Sequence, residues 1–270
     1  MSDTGATPGN IGVPCDIRTD IAHPARVYDY WLGGKDNFAA DREHGERQLG
    51  VVPHMRTYAR GNRQFMARAV RFLCDAGVRQ FLDIGAGLPT SPNVHEIAQQ
   101  ADPGSRVVYV DNDPMVFVHA EALMAKSDMT AVVRADMRDV DDVLSQAGKL
   151  IDFRAPAGLM FVACLHHLED EDDPVGLVAR YLDAMAPGSY LVLSHVTDEY
   201  APEGFRKGRA QAREDGMVVA PRGKDSILRM FNGRELLDPG LVLVSRWRPG
   251  NGRPDPNADT VMAYGGVAAL

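Results

Sequence analysis

Residues 80–90, QFLDIGAGLPT, limit what this chain can fold into more than any other stretch. Phe81, Leu82 and Ile84 form a short apolar run of strand type, and Gly85 and Gly87 break it. Ser91-Pro92 then opens a helical segment, with Ser91 in the N-cap role and Pro92 at the first helical position. Strand, glycine turn and helix in that order bring backbone N–H groups close to a bound nucleotide or carboxylate. A lone Gly-x-Gly is a weak signal, but the next strand-like run, 106–110, leads into Asp111-Asn112-Asp113. An acidic residue there is placed to accept hydrogen bonds from both hydroxyls of a ribose, at a spacing close to the roughly 20 residues expected.

The alternation continues. Strand-like runs at 81–84, 106–110, 130–134, 157–163 and 190–194 are separated by helical patterns at 92–101, 114–125, 141–147 and 174–186. Asp113 and Asp173, each followed by proline, mark two of the helix starts. Short connections between βα units predict a doubly wound parallel sheet with right-handed crossovers. Two later runs, 241–246 and 261–267, joined by the Pro-rich RPGNGRPDPN, predict an antiparallel edge. Residues 198–225, rich in Glu, Arg, Gly and Pro with little periodicity, predict a partly ordered excursion over one end of the sheet.

Ahead of the sheet, residues 1–16 offer nothing to bury and predict a flexible leader. Residues 17–78 predict a helical extension that serves as a lid, and 79–270 the α/β domain. Within the extension, Val27, Tyr28, Trp31 and Leu32 share a helical face, and Gly33-Gly34 stops it. A longer amphipathic helix over 55–75 carries Asn62 and Arg63, which fall beside the glycine turn if this helix packs against the first strand. The aromatic group Tyr28, Tyr30, Trp31 and Phe38 reads first as packing, and part of it as a roof over the crevice.

Composition narrows the function classes. With 45% hydrophobic and 24% charged residues, the 270-residue chain can build a sizeable core. Its net charge of −8 gives no electrostatic footprint for nucleic acid. Cys15, Cys74 and Cys164 are too few and too scattered for a disulfide framework or a zinc pattern. No apolar run approaches the roughly 20 residues needed to span a bilayer, and no signal-like core opens the chain. A cytoplasmic protein with no membrane partner is the expectation.

Four groups fall at the carboxyl ends of successive predicted strands: Asp83-Gly85-Gly87, Asp111-Asn112, Asp136-Met137 and Cys164-Leu165-His166-His167. In an open α/β sheet ligands bind outside those ends, where the strand order switches. Asp111 is placed to clamp a ribose and Asp136 to accept from an adenine amino group, with Met137 and Leu165 on either side of the base. Taken singly, each carboxylate reads equally well as a helix N-cap; three at three strand ends are harder to assign to capping. Adjacent His166 and His167 on a strand or loop face opposite sides, so they do not readily share a metal. One lines the pocket and the other packs.

These segments resemble the class I S-adenosylmethionine-dependent methyltransferases: FLDIGAG, VVYVDND, ADMRD, LMFVACLHHL and PGSYLVLSHV. HPARVYDYWLGGKDNFAADRE, NRQFMARAVRFL, GLPTSPNVHEIA, FNGRELLDPGLV and YGGV narrow the resemblance to a family of predicted bacterial S-adenosylmethionine methyltransferases, over about 17–267. The resemblance implies a Rossmann-like seven-stranded sheet of order 3-2-1-4-5-7-6 with the seventh strand antiparallel. It implies S-adenosyl-L-methionine as cofactor and S-adenosyl-L-homocysteine as product. By it, Asp83, Gly85, Ala86 and Gly87 belong to the cofactor-binding turn, and Asp111 and Asn112 meet the ribose. Asp136 and Met137 meet the adenine, and Ala163, Cys164, Leu165 and His166 line the side from which the methyl leaves. Gly34, Lys35, Asp36 and Asn37 form a loop closing over the cofactor, with Tyr28 and Arg63 near its amino-acid end. Pro89 stands where many class I enzymes have a third glycine.

A dinucleotide-binding oxidoreductase is the competing α/β reading. Its fingerprint needs glycine where this chain has Thr90, and there is no second nucleotide-binding half. The Asn/Asp-Pro-Pro-aromatic tetrapeptide of many amino-methylating enzymes is absent, and ACLHH stands in its place, which argues for a small-molecule acceptor. A protein that binds S-adenosylmethionine without catalysis is the alternative of a different class. If the acceptor must lose a proton, His166 is the first candidate base.

Overall fold

Alternate residues of each central strand enter two different cores, as the period of two along a strand requires. Phe81, Val107, Tyr109, Met160 and Val192 pack on one face of the sheet. Leu82, Val108, Val110, Leu159 and Leu193 pack on the other. A strand buried on both faces has no polar alternation, which accounts for apolar runs such as GLMFV.

The computed structural model describes residues 17–124, 127–250 and 260–270. The predicted leader, Cys15 and most of the Pro-rich connection lie outside them. The helical extension supplies α1 (Pro24–Leu32), α2 (Ala39–Val51) and α3 (Met55–Asp75). Then follow β1 (Gln80–Ile84), α4 (Val94–Ala101), β2 (Arg106–Asp111), α5 (Pro114–Met124), β3 (Thr130–Arg134), α6 (Val140–Ala147), β4 (Gly158–Val162), α7 (Pro174–Asp183) and β5 (Tyr190–Val196). The chain closes with α8 (Pro202–Glu214), α9 (Lys224–Arg229), β6 (Val242–Leu243) and β7 (Ala263–Ala269). The strand order is β3-β2-β1-β4-β5-β7-β6. β1 to β5 pair in parallel, and β7 runs antiparallel to both β5 and β6. The order reverses between β1 and β4, so the crevice of an open α/β sheet opens at their carboxyl ends.

α3 is amphipathic as its spacing predicts: Phe65, Met66, Ala69, Val70 and Leu73 are buried in the same core as Phe81 and Met160. The helix therefore shares the sheet's own core.

Two local expectations are corrected. Ser91 does not cap α4, which begins after Asn93. The Asn93 N–H donates to Glu96 Oε2 at 2.7 Å, and the Ser91 hydroxyl donates to the same oxygen at 2.9 Å. Residues 198–225 are more regular than the partly ordered excursion expected, since α8 occupies 13 of them. It packs on α2 through glycines. A Cβ on Gly204 would lie 2.4 Å from the Val51 carbonyl oxygen, and one on Gly208 2.6 Å from Gln48 Oε1. No helix among the described residues is long and apolar enough to cross a membrane.

Candidate functional site

The turn after β1 has the backbone its glycines promise. Gly85 and Gly87 sit at φ +68° and +67°, the left-handed region that side chains resist. The N–H groups of Gly85 and Ala86 both donate to the Val110 carbonyl, at 2.8 and 3.1 Å, which binds the turn to β2. A Cβ on Gly85 would collide with Cβ of Cys164 at 2.4 Å, so glycine is required where the ends of β1 and β4 meet. Gly87 has open space where its Cβ would be.

Asp111, at the end of β2, turns its buried carboxylate to this turn. Oδ2 accepts the Gly87 N–H at 2.9 Å and Oδ1 accepts the Asp113 N–H at 3.0 Å. Burial pushes the carboxyl upward, and these two N–H donors work against that. Asp83 is more deeply affected: burial raises it to about 7, with the Arg63 guanidinium opposing and Asp111 reinforcing. Asp136 is held low by Arg138, whose Nε and Nη2 bond its two oxygens at 2.9 and 2.6 Å. Met137 beside it is fixed through its carbonyl, which accepts the Tyr181 hydroxyl at 2.8 Å.

At the end of β4, Ala163 adopts φ +60°, a conformation that costs a non-glycine residue energy. A relay of hydrogen bonds holds it. The Ala163 N–H donates to Ser194 Oγ at 3.1 Å, Ser194 donates to Asn62 Oδ1 at 2.6 Å, and Asn62 Nδ2 donates to the Tyr28 hydroxyl at 3.0 Å. Tyr28 in turn donates to the Ala59 carbonyl at 3.0 Å. The relay joins α1, α3, β5 and β4. Of its members Ser194 escaped the sequence reading, because a serine inside an apolar strand carries no signal of its own.

A cavity of about 500 Å³ opens over these strand ends, a size usual for small-molecule sites. It is lined by Tyr28, Arg63, Asp83, Gly85, Ala86, Gly87, Asp111, Asn112, Asp136, Met137, Ala163, Cys164 and His166, so most of the residues singled out in the sequence come together. Five do not. Leu165 is fully buried in the core beneath, because a 3₁₀ turn at Leu165–His167 directs it inward. Gly34, Lys35, Asp36 and Asn37 lie off the cavity wall. Their loop folds around Asp29, which accepts the Asp36 N–H at 3.0 Å and Asn37 Nδ2 at 2.8 Å, while Lys35 is exposed. A Cβ on Gly34 would strike the Asp29 carboxylate at 1.9 Å.

The histidine expectation is corrected too. His166 and His167 do not face opposite ways; the 3₁₀ turn places both on the cavity, with ring centroids 4.3 Å apart. His195, missed in the sequence, lies behind His166 at 5.6 Å and receives Arg222 Nη1 on its Nε2 at 3.0 Å. Burial drives all three imidazoles toward the neutral form, His166 well below its ordinary range, His167 to about 4 and His195 to about 3. The far wall is formed by Trp31, a member of the aromatic group expected in part to roof the crevice, and by Met55, Tyr58, Met66, Phe205 and Met217, which had no functional signal in the sequence. Its members read there as ordinary helix packing or fell in the unassigned stretch.

A seven-stranded sheet of this order, a left-handed glycine turn after β1 and a buried carboxylate at the end of β2 define a Rossmann-like methyltransferase. A family model described as S-adenosyl methyltransferase matches residues 12–270, and the chain belongs to that family. Its cofactor is S-adenosylmethionine. Two solved structures resemble the chain throughout. A DUF574 family protein from Streptomyces avermitilis MA-4680 is 41% identical with a TM-score of 0.87, over 93% of this chain and 98% of that one. A putative methyltransferase from Thermobifida fusca YX is 40% identical with a TM-score of 0.88, over 96% and 99%. A methyltransferase from Mesorhizobium loti, 17% identical at a TM-score of 0.51, over 75% of this chain and 96% of that one, shares the fold. No curated protein matches the chain.

Proposed function

We propose that this protein transfers the methyl group of S-adenosylmethionine to a small-molecule acceptor held in the same cavity. The observation that carries the reading is the cavity itself, which continues from the strand ends onto an apolar wall of Trp31, Met55, Met66, Phe205 and Met217. The residues fit the cofactor: Gly87 leaves open space at the cavity edge, and the Asp111 oxygens retain lone pairs for ribose hydroxyls beyond the N–H groups they accept. Asp111 and Asn112 hold the ribose in this reading, Met137 flanks the adenine, and Asp83 and Arg63 lie toward the amino-acid end. Asp136, already paired with Arg138, receives the adenine amino group on its remaining lone pairs. The helices α1, α2 and α8 form the lid.

When bound, the cofactor supplies a methyl group activated by its sulfonium. The chain's own task is then alignment and exclusion of water. The Tyr28–Asn62–Ser194 relay fixes the Ala163 turn, and the buried walls keep the chamber dry. His166, neutral and with Nδ1 unpartnered, takes a proton where the acceptor must shed one. Isothermal titration with S-adenosylhomocysteine tests the cofactor site. Transfer of labelled methyl from S-adenosylmethionine into small molecules of a cell extract tests catalysis. Cofactor binding without transfer to any fraction favours a sensor over an enzyme, and absence of binding removes both.

A further inference from the structure

The cavity has two unlike halves. One is the strand-end half, with the carboxylates of Asp83, Asp111 and Asp136. The other is walled by Trp31 and Phe205 and by the flexible thioethers of Met55, Met66 and Met217. Flat aromatic faces and adaptable methionines suit an apolar ring. Polar side chains in this second half are mostly committed: Asn62 to Tyr28 and Ser194, Gln48 to the Gly208 carbonyl at 2.8 Å, and His167 to the Val218 carbonyl at 2.8 Å.

Two are not. Tyr58 is 1% exposed and His166 6% exposed, both border the cavity, and neither Tyr58 Oη nor His166 Nδ1 has a hydrogen-bond partner. A buried polar atom left unpaired costs about 1–3 kcal/mol, so two in one chamber call for a ligand that pairs them. Among the buried side-chain atoms of described lining residues the one other without a partner is Nε of Arg209, whose guanidinium is bound by Glu169 at its Nη2 end.

We propose that this half of the cavity is the acceptor site for a neutral, largely apolar ring compound bearing a hydroxyl group, which Tyr58 Oη and His166 Nδ1 recognise together. A hydroxyl matches the pair because it donates and accepts at once, whichever nitrogen of His166 carries the proton. A carboxylate can only accept and an ammonium only donate, and either brings a charge into a site where burial already favours neutral imidazole and neutral phenol.

The proposal rests on the cofactor reading above, and the test separates them. Wild-type protein is first titrated with S-adenosylhomocysteine; no binding overturns that reading and this proposal with it. Protein saturated with S-adenosylhomocysteine is then titrated with 2-naphthol, 2-naphthoate and 2-naphthylmethylammonium. The expected result is 2-naphthol binding at least about tenfold tighter than either charged probe, and a loss of about fivefold or more in Tyr58→Phe and in His166→Leu, with S-adenosylhomocysteine affinity kept in Tyr58→Phe. Charged probes binding as well as 2-naphthol, no probe binding at all, or folded variants that bind 2-naphthol like wild type overturns the acceptor assignment while leaving the cofactor reading intact. The three-probe comparison on wild type decides the matter even if a variant fails to fold.

Discussion

The carboxylate of Asp111 accepts the backbone N–H of Gly87 at 2.9 Å, so the acidic end of one strand braces the glycine turn of its neighbour. The same side chain accepts the Asp113 N–H at 3.0 Å at the start of α5. One residue thus shapes the turn, faces the cavity and steadies Asp113, whose own Oδ1 accepts the Met115 N–H at 2.8 Å and caps α5. Bracing the turn does not exhaust the carboxylate, which has about four lone-pair positions, so it leaves room for the ligand contact proposed above.

Asp111→Ala is expected to weaken S-adenosylhomocysteine binding by at least about tenfold, since hydrogen bonds to a charged group are worth roughly 1.5–3 kcal/mol and about 1.4 kcal/mol is a factor of ten. Isothermal titration on the folded variant checks it. Unchanged affinity would leave Asp111 with the bracing role alone.

The Ala163 turn yields a second prediction. Ser194→Ala removes the hydroxyl that accepts the Ala163 N–H and donates to Asn62. The Ala163 N–H keeps the Ser194 backbone carbonyl at 3.2 Å, but the buried Asn62 Oδ1 loses its donor, at a cost of about 1–3 kcal/mol. Denaturant unfolding should register that loss, together with weaker S-adenosylhomocysteine binding because Ala163 borders the cavity. Ser194→Cys or Ser194→Thr should recover part of it. A variant as stable as wild type would mean the relay does not support the turn.

How much of this was visible beforehand depended on how loudly each residue type speaks. The central strands were legible because both faces are covered, as with Phe81 and Leu82 in opposite cores. Gly85, Gly87 and Asp111 were legible because positive φ and strand-end carboxylates leave marks in the residue type itself. α8 was not, because its inward face is Phe205, Gly208 and Ala212. Close contact with α2 demands small residues there, and small residues erase hydrophobic periodicity. The 34–37 loop, which the resemblance places over the cofactor, lies off the cavity for a related reason: Gly34 and Asn37 are set by their fit around Asp29. Leu165 turned into the core and His167 joined His166 on the cavity because a 3₁₀ turn, not a strand, follows β4.

Asp83 and the histidines predict a stability profile with two opposed slopes. Burial raises Asp83 to about 7, so between about pH 4 and 7 the folded chain holds a proton the unfolded chain has lost. Stability from this group falls as pH rises across that window, by about 1.4 kcal/mol per unit at most. His167 and His195, lowered by burial to about 4 and about 3, act the other way: below about pH 6.5 the unfolded chain takes up protons the folded one refuses, and stability falls with acid. Asp83→Asn should therefore raise the melting temperature relative to wild type at pH 8 and do little at pH 4.5. Thermal unfolding of both proteins at the two pH values is the check, and a pH-independent difference would mean Asp83 is ionised throughout.

The α2–α8 contact gives a prediction in which two effects oppose each other. Alanine for glycine in a helix interior ordinarily stabilises by up to about 1 kcal/mol. At Gly204 the new Cβ would meet the Val51 carbonyl oxygen at 2.4 Å, and backbone must move to admit it. At Gly208 the obstacle at 2.6 Å is the tip of the Gln48 side chain, which can rotate away at the expense of its bond to the Gly208 carbonyl. Overpacking against fixed atoms costs typically about 1–3 kcal/mol, more than the helix propensity returns. Gly204→Ala should therefore destabilise in denaturant unfolding, and Gly208→Ala should do so less or not at all. Because α8 carries Phe205 into the acceptor wall and no cofactor contact, Gly204→Ala should loosen the binding of 2-naphthol while S-adenosylhomocysteine affinity holds. Equal stability of both variants and wild type would show that α8 rides loosely on α2, and the lid would then have to be closed by α1 and α2 alone.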